Sequence, residues 1–143
     1  MKQKIIEILN GLQEDGYIDN YLFEDRPTAN VRLDSRGNTV GILYQFVDFD
    51  LDFSSGLLKE SAEINVSFLQ KEVKLDAGGN EQYDIVSEMK EVMLEFLRRV
   101  KALSEYVITD KVLTIKTVFL NTDSNRTGVN CTFTLKSKQG SCI

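Results

Sequence analysis

The chain has 143 residues, of which 42% are hydrophobic and 27% charged, enough for one ordinary globular domain and short for two. Seventeen Lys and Arg against 22 Asp and Glu leave a net charge of −5, which gives no overall drive toward phosphate backbones. The absence of His removes imidazole metal ligands, Ser-His and Cys-His nucleophile pairs and an imidazole pH switch.

Ile5, Ile8, Leu9 and Leu12 recur at helical spacing, with Lys2, Lys4, Glu7 and Gln13 left for water, and predict an amphipathic helix over roughly residues 2–15. Gly16 is placed to end it in a left-handed conformation. An apolar cluster, Tyr17, Ile18, Tyr21, Leu22 and Phe23, precedes the single proline, Pro27. A short strand is expected at Val31–Leu33, followed by hairpin-loop composition over residues 34–38.

Residues 40–53 read as one long strand. Leu43, Val47, Phe49, Leu51 and Phe53 hold the odd positions, while the even ones pass from Ile42, Tyr44 and Phe46 to Asp48, Asp50 and Asp52. One face is therefore expected to stay apolar, and the other to leave the body of the protein at an acidic end. After a break at Ser54-Ser55-Gly56, residues 61–73 alternate again through Ala62, Ile64, Val66 and Phe68.

A Gly-rich linker over residues 74–82 leads into the main helix, expected from near Glu81 to Leu103. Its apolar stripe runs from Ile85 through Met89, Val92, Met93, Phe96 and Val100. Acids lie toward its start and Arg98, Arg99 and Lys101 toward its end, the order that suits the macrodipole. Strands at residues 111–120 and 128–138, joined by a polar loop, complete an α+β pattern: an antiparallel sheet carrying an N-terminal helix and one long helix, with a C-terminal hairpin. Cys131 falls on the apolar parity of the last strand and reads as a small buried residue. With Cys142 it would make at most one bridge.

Motifs of chemistry are few. Asp48-Phe49-Asp50-Leu51-Asp52 begins like a calcium loop, but Phe53 stands where the turn glycine belongs and Lys59 where the bidentate glutamate belongs. Gly78-Gly79 lacks the phosphate-loop context, and no acid pair stands out as a general acid and base. No catalysis, metal or other cofactor is expected. Within residues 1–15 the longest apolar run is two residues, so a secretory signal is not expected and a cytoplasmic location is.

The order of these elements, with the stretches KIIEILNGL, GILYQFVDFDLDF, EMKEVMLEFLRRVKAL and TDSNRTGVNCTFTLK, resembles the tail-terminator (tail-completion) proteins of long-tailed bacteriophages. The resemblance implies a prophage-encoded structural subunit that assembles with itself into a ring, caps the tail tube and meets the head connector. It implies neither membrane nor sequence-specific nucleic-acid binding, and a final location in the virion. The acidic strand end, Asp48, Asp50 and Asp52, and the basic helix end, Arg98, Arg99 and Lys101, are the subunit-interface candidates, acid of one copy against base of the next. The alternative is a small-ligand or peptide-binding α+β module without catalysis.

Overall fold

A computed structural model describes residues 1–24, 39–44, 49–53, 56–71, 78–120 and 126–138. The expected strand at Val31–Leu33, its loop, Asp48 and Cys142 lie outside the described residues. The described residues form α1 (Lys2–Glu14), β1 (Asn20–Glu24), β2 (Thr39–Tyr44), β3 (Phe49–Asp52), β4 (Lys59–Lys71), α2 (Gly78–Lys101), β5 (Tyr106–Ile108), β6 (Ile115–Leu120) and β7 (Arg126–Ser137). The class is α+β.

Among the described residues two long antiparallel strands, β4 and β7, make the centre of a sheet of seven strands, in register from Ser61↔Lys136 to Lys71↔Arg126. Shorter strands flank them end to end. On one side β2 and β3 both pair with β4, and on the other β6 and β5 both pair with β7. The sheet is mixed, not wholly antiparallel as the sequence suggested, because β1 lies parallel to β2 at the edge.

Alternation along the central strands sorts side chains to two faces. Ala62, Ile64, Val66 and Phe68 of β4 join Val129, Cys131, Phe133 and Leu135 of β7 on one face. Both helices build the core there, through Ile5, Leu9 and Leu12 of α1 and Met89, Met93, Phe96 and Val100 of α2. The opposite face carries a smaller apolar cluster of Leu22, Val40, Ile42 and Leu69. Beside it Asn130 donates from Nδ2 to Asn65 Oδ1 at 2.7 Å, Ser67 Oγ at 2.8 Å and the Val66 carbonyl at 3.2 Å, a polar link between the central strands.

α1 ends as its glycine predicts. Gly16 adopts φ 84°, and the Gly16 and Tyr17 amides donate to the Gln13 and Leu12 carbonyls at 3.2 and 2.9 Å. This is the paired closure of a Schellman motif, which a left-handed residue makes possible. Replacing Gly16 with Ala should cost about 1 kcal/mol in chemical denaturation, because no neighbouring atom obstructs the new Cβ and only the backbone conformation resists it.

Of the expected single strand over residues 40–53, the described residues form β2 and β3, and residues 45–48 lie outside them. Leu43 pairs with Val66 and Phe49 with Ala62, so six residues advance on one side (49 − 43) against four on β4 (66 − 62). A surplus of two is even, and side-chain parity survives it. What changes is the environment. The odd face holds Leu43 in the core, whereas Leu51 and Phe53 are 54% and 53% exposed, so the far end of this stretch leaves the core on its apolar face as well as on its acidic one.

Candidate functional site: the two ends of the sheet edge

The first candidate surface is the hairpin made by β3 and the start of β4. Gly56, at φ 76°, supports its turn, and the Gly56 amide donates to the Phe53 carbonyl at 3.0 Å. Leu51 and Phe53 project from it, and Leu57 is 37% exposed nearby. Neighbouring apolar side chains at half exposure on one hairpin mark a candidate contact surface more than scattered surface leucines do. Among the described residues β3 pairs only with β4.

The acidic candidates divide. Asp50 pairs across the ladder with Ser61 and is exposed, with no ion pair among the described residues. Asp52 instead accepts from Lys136 Nζ at 3.0 Å on the outer face of the sheet, a partner within its own chain.

The basic candidates divide too. Arg99 donates from Nη2 to Asp15 Oδ2 at 2.6 Å and from Nε to Glu95 Oε1 at 3.1 Å, and its guanidinium carbon sits 5.5 Å from the centre of the Tyr17 ring. Arg98 donates to Glu95 Oε2 at 3.1 Å. Arg99 thus ties α2 to the C-terminal end of α1, and the structure gives it an intramolecular role. Lys101 is exposed and outside this network.

Hydrogen bonds from Arg99 and then Arg98 hold Glu95 below the usual carboxylate range, while Asp15 chiefly, with Glu95, holds the Arg99 guanidinium protonated. A carboxylate with a depressed folded pKa contributes stability that is present above its unfolded value and lost as pH falls through the folded one. Glu95→Gln should therefore melt below wild type at neutral pH and converge with it in acid. A gap that persists unchanged at low pH would contradict the ion-pair account. Arg99→Ala should cost about 1 kcal/mol, as expected for a partly exposed, doubly paired arginine.

The second surface lies at the opposite edge, where the sequence showed no strand. β5 opens a groove of about 400 Å³ lined by Tyr106, Ile108 and Leu113, with Lys101, Lys111 and Lys138 at its rim. Asp110 also lines it, and accepts from the Thr134 amide at 2.7 Å. None of the three lysines is ion-paired among the described residues. The groove gathers its lining from the end of α2, the β5–β6 connection and the residue after β7. These segments are distant in sequence, and no local motif announces their meeting.

Cys131 is buried, and burial first, with the charge of Asp110 second, raises its thiol pKa, the opposite of what a reactive thiolate needs. Among the described residues no group of three His, Cys, Asp or Glu is arranged to hold a metal ion, and no helix is long and apolar enough to cross a membrane. No protein-family model matches the chain, and no curated protein matches it in sequence.

Proposed function

We propose that the chain is a structural subunit that assembles with copies of itself into a ring, in the manner of the phage tail terminators it resembles, capping a tail tube and meeting a head connector. The observation that carries the reading is the β3–β4 hairpin, which holds Leu51 and Phe53 at 54% and 53% exposure. Covering the exposed half of each side chain in an interface is worth about 1 kcal/mol. A self-associating protein recovers that energy at every contact. The reading assigns the chain no catalytic step and no cofactor.

Light scattering coupled to size exclusion, over a concentration series, tests it. The expected result is a discrete mass several times that of one chain, reduced by Phe53→Ser. A monomer at every concentration overturns the reading.

A second reading, a small-ligand or peptide-binding module, is favoured by the groove at β5, whose volume of about 400 Å³ falls within the range of ligand sites. A strictly monomeric protein that binds a small molecule there would support it over the first.

A further inference from the structure

We propose that the groove at the β5 edge receives the β3–β4 hairpin of a neighbouring copy, with Leu51 and Phe53 entering the apolar lining and Asp50 meeting the lysine rim. This inference rests on the self-assembly reading and names its contact.

Strand order supplies the first argument. At one end of the sheet the order across is β3, β4, β7, β5, so the hairpin and the groove occupy opposite edges of the same end. Three strand spacings, roughly 14 Å, and two intervening strands separate them within one chain. A copy therefore offers the hairpin on one side and the groove on the other, the head-to-tail arrangement that closes into a ring when the rotation permits.

Chemistry supplies the second. The groove wraps the sheet edge, lined by Tyr106 and Ile108 on the helix-bearing side and by Val107, 41% exposed, on the other. The hairpin likewise carries both kinds of side chain, since Leu51 and Asp50 point to opposite faces of β3. Leu51 and Phe53 find apolar side chains in the lining, and Asp50 finds the lysines that share it.

Charge supplies the third. Arg98 and Arg99 already serve Glu95 and Asp15, which occupies them as cations and leaves Lys101, the sequence candidate that does line the groove. Lys101, Lys111 and Lys138 outnumber Asp110, whose Oδ1 is taken by a backbone amide, so the rim favours an incoming carboxylate.

A charge-swap cycle on the full chain decides, read by sedimentation over a concentration series with thermal melts as the folding control. Asp50→Lys and Lys111→Asp each reverse an exposed charge, and each should weaken self-association about tenfold while leaving the melting temperature near that of wild type. The double variant should recover most of the loss, because the pair is restored with its signs exchanged. Lys101→Glu serves as a second rim variant should Lys111→Asp melt early, and should weaken association in the same way. Assembly undiminished by both single reversals overturns the groove contact and leaves self-assembly standing. Weakening without recovery in the double variant overturns the pairing, since the two residues then act at separate contacts. A monomeric wild type overturns the reading beneath it.

Discussion

Phe96→Ala should lower stability by about 3–5 kcal/mol, the range for deleting a fully buried aromatic ring. Phe96 sits on α2 at 0% exposure, where the helix crosses the two central strands. Its ring meets Phe68 of β4 edge-on, with centroids 5.5 Å apart and planes at 63°, and lies 6.3 Å from the ring of Phe133 of β7. One side chain thus joins the helix to both strands that organise the sheet. Removing it forfeits the transfer energy of the ring and two favourable aromatic contacts, and leaves a cavity between elements that cannot close on it without moving a helix. Against a typical domain stability of about 5–15 kcal/mol the loss is a large share, and the melting temperature should fall by roughly 10 °C. Glu91→Ala, on the exposed face of the same helix, should stay within about 0.5 kcal/mol of wild type. Urea unfolding of both variants checks the pair. A loss below about 1 kcal/mol for Phe96→Ala would mean that the helix does not present this ring to the sheet.

The positions of Phe96, Phe68 and Phe133 in helix and strands are announced by the sequence. The stripe from Ile85 to Val100 is long enough for helical periodicity to emerge, and the alternation through residues 62–68 and 129–135 is clean because one face of each strand is buried under helices and the other is largely polar. β1 escapes the same method for a physical reason. Its Tyr21, Leu22 and Phe23 are consecutive apolar residues because Leu22 packs in the cluster on one face while its neighbours pack against the core on the other. A strand apolar on both faces shows no alternation. β5 has three residues, too few for any period, and its position at the edge is set by its register on β7, some thirty residues further along the chain. The expected strand over residues 111–120 shortens to Ile115–Leu120, and the residues before it help line the groove.

The surfaces were legible to a lesser degree. Spacing of four identifies the Arg99–Glu95 pair on one helix face, but the Asp15 that draws Arg99 into an intramolecular tie is 84 residues away. The Lys136 that engages Asp52 is equally remote in sequence. Among the described residues, Asp50 is the acid of the strand end without an ion pair, and Lys101 is the base of the helix end without one. A chain of mixed topology brings distant segments together at its edges, and there sequence periodicity says which side chains leave the core but not which of them find partners.

Gly128→Ala should cost about 3 kcal/mol or more, for a reason of distance and not of conformation. A Cβ at Gly128 would overlap the Phe68 carbonyl oxygen and stand 2.8 Å from both the Phe68 carbonyl carbon and the Leu69 Cα. All three obstructing atoms are backbone, so no rotamer change relieves the contact, and β7 and β4 must move apart. They are the central pair, with Gly128 opposite Leu69 on one side and opposite Val118 of β6 on the other, so separation there disturbs two ladders at once. The buried cluster of Leu69, Val40 and Ile42 rests on the same stretch of β4 and would lose its packing with it. Gly11→Ala is the instructive contrast. Its Cβ would approach only Arg99 Nη1, at 3.0 Å, the far end of a flexible side chain, and alanine is favoured over glycine inside a helix by about 1 kcal/mol. Gly11→Ala should therefore lie within about 1 kcal/mol of wild type, with a small shift of the guanidinium. Urea unfolding ranks the two variants, and amide exchange locates the damage, which should appear as lost protection around Phe68–Leu69 and Thr127–Val129. A Gly128→Ala protein as stable as wild type, with protection at those amides intact, would show that the central strands do not approach as closely as this register requires.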